Sequence, residues 1–298
     1  MRCRLGELVY LNGEYLQKQA AVVSVEDRAF LFGDGIYEVV RVYKGRPFLL
    51  ERHLDRLVSS AAKVSMPLDQ VLLPLERLGE VVETLIQRNE IKEGTVYIQV
   101  TRGAARRSHA FPPECKPTML VMTYATGGRS WEAWTNGVQC ITSPDDRWAR
   151  CDIKSVNLLP NVLAKQRAAE RGCYEAIFVR DGFLMEGSSS NFFAVRNGTV
   201  VTPPLTNYIL PGITRGLVIE LCRDAGIKLV EAPVHYSELE RGEIQEVFLT
   251  GTNTEVVPVV GIDGKAVGDA KPGPVTRAVQ RAFSEYVDRV AGGGCCGS

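Results

Sequence analysis

The sequence lacks every cysteine and histidine spacing that is typical of a zinc site. Its eight cysteines are scattered singly apart from Cys295-Cys296, no Cys-x-x-Cys pair occurs, and the three histidines lie far apart. We therefore expect no structural metal. Scattered single cysteines are also typical of reduced thiols in a cytoplasmic protein.

Long apolar runs and an excess of one charge are also missing. No stretch approaches the roughly 20 apolar residues that cross a bilayer, and the basic N-terminus leads into no apolar core, so we expect no signal peptide. Lys plus Arg and Asp plus Glu number 35 each. This balance favours neither a nucleic acid nor a membrane surface as a partner. The expected location is the cytoplasm.

The length and composition are those of a globular protein with more than one core. The chain has 298 residues, of which 45% are apolar and 23% charged, and a chain of this length usually divides into two domains or forms one large α/β domain. A glycine-rich connection at residues 125–130 is the best boundary. We expect an N-terminal α/β domain over 1–127, a C-terminal α/β domain over 128–290 and a flexible tail over 291–298.

Residue periodicity predicts alternating strands and helices. Strands are predicted at 8–11, 36–43, 94–101, 118–123, 174–179, 192–195, 199–201 and 247–250, and helices at 51–65, 69–91, 157–171, 212–225 and 275–290. Asp27–Gly35 is predicted to be a glycine-punctuated loop. In the strand that follows, Tyr37 and Glu38 point to opposite faces.

Lys154 follows Cys-Asp-Ile and precedes Ser-Val-Asn, which is an unusual setting for a surface lysine. Enclosure would disfavour the ammonium form and make the amine a nucleophile for a carbonyl. The alternative is a lysine at a strand end that reaches for water. The immediate neighbours do not decide between the two.

Two segments could bind an anion. Leu210–Arg215 places Gly212, Ile213 and Thr214 at a helix start, where free N–H groups and the helix dipole favour phosphate. A helix start that is merely capped fits the same residues. Gly251-Thr252 at a strand end offers a further amide and hydroxyl, and Arg56 offers a guanidinium that could equally form a surface ion pair.

The loop 102–109 carries three arginines and a histidine. Arg107 and His109 could clamp a carboxylate, and a solvated basic loop fits the same composition. Ser188-Ser189-Ser190 does not match the Gly-x-Ser-x-Gly motif, and no histidine lies near it in sequence, so a serine hydrolase is not indicated.

Five motifs together resemble the class IV aminotransferases, which are fold-type IV pyridoxal-phosphate enzymes. The motifs occur in the family's order at Phe32–Val40, His53–Leu57, Asp152–Ser155, Glu186–Phe192 and Leu210–Arg215. The resemblance covers most of the chain, from about Glu7 to Phe283. It implies a two-domain α+β or α/β fold with a barrel-like C-terminal domain that carries the cofactor lysine, a cofactor between the domains, and a homodimer.

Within the family, the chain is most similar to the D-amino-acid aminotransferases. The strand Val100–Gly103, followed by Arg107-Ser108-His109, resembles theirs, as does Tyr37 after Gly-Asp-Gly. This similarity implies that Tyr37, Arg107 and His109 bind the substrate α-carboxylate. Branched-chain enzymes carry a different strand where this chain has Val96–Gln99. Gly251 departs from the pattern because the related enzymes have serine there, so a hydroxyl contact to the cofactor is lost.

The resemblance also implies the roles of the cofactor residues. Lys154 forms a Schiff base with pyridoxal phosphate and then moves a proton from Cα to the cofactor, a 1,3-proton transfer. Glu186 pairs with the pyridine nitrogen. The remaining residues expected to bind the cofactor, mainly at its phosphate, are Arg56, Leu210, Ile213, Thr214, Gly251 and Thr252.

The expected reaction is transamination of D-amino acids with a 2-oxo acid, D-alanine plus 2-oxoglutarate giving pyruvate plus D-glutamate. An L-branched-chain or other class IV aminotransferase is the first alternative, and an aminodeoxychorismate lyase is the second. From a different class, a non-enzymatic protein that binds a phosphorylated ligand would keep the helix-start site but would not need Lys154.

Overall fold

A computed structural model describes residues 7–66, 68 and 75–292. The chain divides into two compact units, one of Met1–Gly128 with Ile153–Asn157 and the other of Arg129–Asp152 with Leu158–Ser298. The sequence predicts Lys154 in the second domain, but the short segment that carries it groups with the first unit. Residues 293–298 of the expected tail lie outside the described part of the chain.

The first unit combines strands with three α-helices among its described residues. Its strands are β1 (Leu8–Leu11), β2 (Glu14–Gln17), β3 (Gly35–Tyr43), β4 (Arg46–Pro47), β5 (Gly94–Thr101) and β6 (Thr118–Ala125), and its α-helices are α1 (Arg28–Phe32), α2 (Leu50–Lys63) and α3 (Leu75–Arg88). A short 3-10 helix spans Lys18–Ala20. The hairpin turn between β1 and β2 is Asn12-Gly13, and both residues have positive φ.

The strands of the first unit form one antiparallel sheet in the order β2-β1-β6-β5-β3-β4. Strand β3 pairs with β5 from Gly35–Thr101 to Val42–Gly94. One face of β3 is covered by α2, so Val40 and Leu57 are buried in a common apolar core. Removing such side chains from water is the main stabilising term of the unit.

Two predictions for the first unit differ from the structure. The segment predicted to be a loop after Asp27 contains α1, whose first turn is capped by the Asp27 carboxylate accepting from the Ala29 N–H at 2.9 Å. A five-residue helix is too short to show a helical periodicity in the sequence. The start of the helix predicted at 69–91 lies outside the described residues, and its helical part ends at Arg88.

The second unit combines ten strands with five α-helices among the described residues. The strands are β7 (Val138–Pro144), β8 (Glu175–Arg180), β9 (Phe183–Gly187), β10 (Asn191–Arg196), β11 (Thr199–Thr202), β12 (Leu229–Glu231), β13 (Val234–His235), β14 (Glu246–Gly251), β15 (Glu255–Ile262) and β16 (Lys265–Ala266). The helices are α4 (Trp131–Asn136), α5 (Leu159–Glu170), α6 (Ile213–Asp224), α7 (Tyr236–Glu240) and α8 (Pro274–Ala291).

The sheet of the second unit closes on itself. Its order is β12-β11-β10-β14-β15-β7-β8-β9-β13, and β9 also pairs with β10. The six strands β10, β14, β15, β7, β8 and β9 therefore form a ring whose closing pair is Glu186 and Asn191. Apolar side chains such as Ile177 and Leu249 fill its core. This closure places Glu186 at the seam of the ring.

The described residues contain neither a membrane-spanning helix nor a metal-binding cluster. None of their helices combines the length and the apolar character that a membrane crossing requires. They contain no cluster of three or more His, Cys, Asp or Glu side chains arranged to hold a metal ion.

Candidate active site

Lys154 lies in a short extended segment beside the start of β3. The Tyr37 N–H donates to the Lys154 carbonyl at 3.0 Å, and the Lys154 N–H donates to Ser60 Oγ at 3.3 Å. Ser155 forms an isolated β-bridge with Ile36. The backbone around Lys154 is thus fixed on both sides, while its side chain is half-buried.

The Lys154 amine lies over an aromatic ring. Its Nζ is 4.4 Å from the centre of the Tyr37 ring, and that ring stacks on Tyr97 with centres 5.6 Å apart. A cation at this distance from an aromatic face is stabilised by the ring quadrupole. Burial is the main cause that raises the pKa of Tyr97 to about 12, so its hydroxyl stays protonated and donates to Gln99 at 2.7 Å. Tyr37 and Lys154 are the two expected site residues that this unit brings into contact.

A buried ion cluster lies on the opposite face of β3 from Tyr37. Arg56 donates from Nε and Nη2 to the Glu38 carboxylate at 2.7 and 2.8 Å, and His53 Nδ1 lies 2.7 Å from the same carboxylate. All three side chains are buried. Two parallel N–H bonds fix the plane of the guanidinium, which makes this a strong and directional pair.

Burial and ion pairing have opposite effects on the pKa values of Glu38 and His53. Burial alone raises the pKa of Glu38, but Arg56 and His53 outweigh it and hold the pKa at about 2. Burial is also the largest influence on His53 and lowers its pKa, although Glu38 acts in the other direction. Glu38 is therefore a carboxylate at neutral pH, and its negative charge is neutralised mainly by Arg56.

Arg107 and His109 are both exposed, and both contact Phe32. The Arg107 guanidinium carbon lies 5.1 Å from the centre of the Phe32 ring, and the His109 ring centre lies 5.5 Å from it. Within the described part of the chain, neither side chain has a hydrogen bond or ring contact with Tyr37. The structure thus brings Arg107 and His109 together, and their joint action with Tyr37 stays a prediction.

In the second unit, Glu186 lies buried on β9 and accepts hydrogen bonds from three residues. Asn191 Nδ2 donates to Oε2 at 2.9 Å, the Leu210 N–H donates to Oε2 at 3.1 Å and to Oε1 at 3.3 Å, and Arg147 Nη1 donates to Oε1. The same Asn191 amide donates to the Leu210 carbonyl at 3.0 Å. Glu186 and Leu210, both expected at the site, are therefore joined directly.

Arg147 was not anticipated from the sequence. Its Nε and Nη2 donate to the Asp145 carboxylate at 2.8 and 3.0 Å, so one guanidinium serves two carboxylates. Burial raises the pKa of Glu186 to about 7, and the shared Arg147 opposes this only in part. Glu186 is consequently a group that can exchange a proton near neutral pH.

Helix α6 begins where the sequence predicts an anion site. Gly212 is the N-cap with φ −65° and ψ 134°, and no side chain of the described residues caps the helix. The first-turn N–H groups of Ile213 and Thr214 therefore have no side-chain acceptor. They lie at the positive end of the helix dipole. Thr214 is buried and Ile213 half-buried.

Gly251 ends β14 beside the turn that follows Glu186. A Cβ on Gly251 would lie 3.3 Å from the Ser189 carbonyl oxygen, so the backbone at this point is closely packed. The neighbouring Thr250 hydroxyl is buried without a hydrogen-bond partner among the described residues. Gly251 and Thr252 are both half-buried. Their amides and the Thr252 hydroxyl are of the chemical type that binds phosphate.

The sequence indicates the buried partner of Glu38 but gives no indication of the contact between Arg147 and Glu186. Glu38 shares a strand face with Val40 and Val42, and a carboxylate on an apolar face needs a buried partner. Asp145 is close to Arg147 in the sequence, but the link from Arg147 to the site carried no such signal, because Glu186 and Tyr208 are 39 and 61 residues away along the chain.

The folding pattern is that of fold-type IV aminotransferases. The branched-chain amino acid aminotransferase of Escherichia coli superposes with a TM-score of 0.86 at 28% identity, covering 94% of each chain. The branched-chain amino acid aminotransferase of T.th., solved with pyridoxamine 5'-phosphate, also gives 0.86 at 28% identity, covering 96% of this chain and 95% of that one. The fold predicted from the sequence is confirmed.

The comparison of sequences gives the family. Residues 35–262 match amino-transferase class IV. A D-alanine aminotransferase from Staphylococcus haemolyticus is 43% identical over 282 residues, which is 94% of this chain and 98% of that protein. The chain belongs to the amino-transferase class IV family.

Proposed function

We propose that this protein is a pyridoxal-phosphate-dependent transaminase of D-amino acids that converts D-alanine and 2-oxoglutarate into pyruvate and D-glutamate. The observation that carries the proposal is the extended similarity to the D-alanine aminotransferase of Staphylococcus haemolyticus. The same similarity supports amino acids and 2-oxo acids as the substrates. A homodimer in the cytoplasm stays a prediction.

The residues present fit the chemistry of pyridoxal phosphate. The half-buried Lys154 amine suits the aldehyde, the buried Glu186 carboxylate suits a protonated pyridine nitrogen, and the start of α6 with Gly251-Thr252 suits the phosphate. We propose that Arg56, which also donates to the Glu38 carboxylate, binds the phosphate. When bound, the cofactor holds the amino group between the two half-reactions and withdraws electrons from the substrate Cα.

We assign the chemical steps of the protein to a few side chains. Lys154 Nζ would remove the proton from the substrate Cα as general base and deliver it to the cofactor carbon C4′ as general acid, and the second half-reaction would reverse this transfer. The ring of Tyr37, 4.4 Å away, limits the positions that Nζ can adopt. Arg107 and His109 bind the α-carboxylate together with Tyr37, and this fixes which face of Cα meets Lys154.

The role of Lys154 is tested by reduction and by substitution. Borohydride should bleach the yellow colour and leave the pyridoxyl group covalently attached to the peptide that contains Lys154, and Lys154→Ala should lower kcat by roughly 100-fold to 10,000-fold. Lys165, a partly exposed lysine on α5, provides the control, since Lys165→Ala should retain both label and activity. A colourless protein that takes up no pyridoxal phosphate would instead support the phospho-ligand binding protein.

A second candidate is transamination of L-branched-chain amino acids. The structural similarity to branched-chain aminotransferases with a TM-score of 0.86 favours it. The identity of 28% in that comparison is lower than the 43% shared with the D-alanine aminotransferase. Pyruvate formation from D-alanine, measured beside glutamate formation from L-leucine, separates the two candidates.

A further inference from the structure

Phe32, the last residue of α1, is surrounded by cationic and aromatic side chains. The guanidinium carbons of Arg28 and Arg107 lie 4.8 and 5.1 Å from its ring centre, and the His109 ring lies 5.5 Å away at an angle of 54°. Arg107 and His109 therefore share one aromatic surface. Such contacts favour a few rotamers of side chains that are otherwise exposed.

The backbone beneath these two side chains is held by Arg28. Its Nη1 donates to the Ser108 carbonyl at 2.6 Å and to the Ala110 carbonyl at 3.4 Å, and its Nη2 donates to the His109 carbonyl at 3.4 Å. Arg28 is only 3% exposed. One buried guanidinium thus fixes three consecutive carbonyl groups of the loop.

Asp34 fixes Arg28 and the start of the same loop together. Its Oδ2 accepts from Arg28 Nε and from Arg102 Nε, both at 2.8 Å. Arg102 also donates to the Val64 and Ser65 carbonyls at 2.8 and 3.0 Å. Its guanidinium carbon lies 3.6 Å from the ring centre of Phe111, so Arg102 also holds the other end of the loop.

We propose that Phe32, Arg28 and Asp34 are positioning residues that hold Arg107 and His109 in the arrangement needed to bind the substrate carboxylate. The inference rests on the proposed function, in which Arg107 and His109 make that contact. A guanidinium that is ordered before binding loses less conformational freedom when the carboxylate arrives. These residues therefore act on substrate binding and not on the proton transfer at Lys154.

The test is the kinetics of Phe32→Leu, which removes the aromatic face and keeps an apolar side chain. With holoenzyme, the KM for D-alanine should rise by roughly threefold to tenfold, while kcat stays within about twofold. Tyr286→Leu is the matched control, because it removes a half-buried ring 5.1 Å from the Arg289 guanidinium on α8. It should change neither constant. Phe32→Tyr, which keeps the ring, should restore the KM.

Arg28→Lys provides an independent variant. Lysine keeps a positive charge for Asp34 but cannot reach three carbonyls at once, so the KM for D-alanine should rise again with little change in kcat. The absorbance of the bound cofactor and the thermal midpoint of Phe32→Leu should match those of the parent. A fall in kcat or in cofactor content without a rise in KM would mean a merely structural role and would overturn the inference.

Arg107→Leu separates the inference from the function on which it rests. If Arg107→Leu leaves the KM unchanged, the proposed carboxylate contact is wrong and the positioning role is lost with it. If Arg107→Leu raises the KM while Phe32→Leu and Arg28→Lys leave it unchanged, the carboxylate contact stands and the positioning role is overturned.

Discussion

Two buried glutamates in this chain have opposite pKa shifts. Glu38 receives both arms of Arg56 and a contact from His53, so its pKa is held at about 2 despite burial. Glu186 shares Arg147 with Asp145, and its pKa is raised to about 7. Burial dominates the pKa of Glu186 because Arg147 is shared between two carboxylates. Ion pairing dominates the pKa of Glu38 because Arg56 donates two hydrogen bonds to it.

The raised pKa of Glu186 predicts how the stability of the cofactor-free protein changes with pH. The pKa of Glu186 is about 7 in the folded protein and 4.5 ordinarily. The free energy by which protonated Glu186 stabilises the folded state is therefore complete below pH 4.5 and is lost as the pH rises through 7. Compared with Glu186→Gln, the parent chain should lose up to about 3 kcal/mol of unfolding free energy over that interval.

Urea unfolding of the two proteins at a series of pH values measures this difference. Adding pyridoxal phosphate should weaken the dependence, because a cationic ring nitrogen favours the carboxylate form of Glu186. If the difference in unfolding free energy between parent and variant stayed constant over this pH interval, the raised pKa of Glu186 would be contradicted.

For single residues, the sequence predicted a role where the residue belongs to a family motif. Glu186 and Lys154 were assigned by resemblance, and Glu186 was found buried among converging donors while Lys154 lay beside Tyr37. Arg147 and Asn191 received no role in advance. Their importance comes from partners that only the folded chain brings near, such as Arg147 with Tyr208.

At the scale of elements, the start of α6 depends on a glycine for steric reasons. Gly212 has φ −65°, which any residue can adopt, but a Cβ there would lie 1.9 Å from Asn191 Oδ1. That amide is buried and donates to both Glu186 and Leu210, so it cannot move aside without loss. The side chain of Asn191 therefore contacts both the start of α6 and the Glu186 carboxylate.

Gly212→Ala should therefore destabilise the protein by about 1–3 kcal/mol, because the displaced Asn191 leaves buried polar groups without partners. Weaker binding of pyridoxal phosphate should accompany this loss. Thermal unfolding and a titration with the cofactor measure the two effects.

Gly216→Ala is the matched control in the same helix. A Cβ at Gly216 meets no atom within 4 Å, so alanine should stabilise the helix by about 0.5–1 kcal/mol. Equal effects of the two substitutions would contradict the steric account of Gly212.

Helix α2 and strand β5 were predictable from the sequence, whereas helix α1 and strand β15 were not. Helix α2 and strand β5 agree with the predicted ranges because burial imposes a clear period on each sequence. Helix α1 was missed because its five residues depend on the Asp27 cap and contacts from distant segments. Strand β15 was also missed, since periodicity alone does not distinguish a continuous apolar run in a strand from one in a helix.

At the scale of the whole molecule, the two-unit division is more interleaved than the sequence suggests. A glycine-rich connection marks Gly128, but nothing in the composition indicates that Ile153–Asn157 packs with the first unit. Likewise, the ring in the second unit is closed by one pair, Glu186 with Asn191. Such non-local pairings follow from the fold and leave no periodic mark in the sequence.

The stereochemistry of the half-reaction distinguishes a transaminase of D-amino acids from one of L-amino acids. Cofactor-loaded protein is mixed with D-alanine or L-alanine without an oxo acid, and the colour of the bound cofactor and the pyruvate released are followed. We predict that D-alanine bleaches the yellow form and releases about one pyruvate per site, while L-alanine leaves the colour unchanged. Bleaching by L-alanine alone would contradict it.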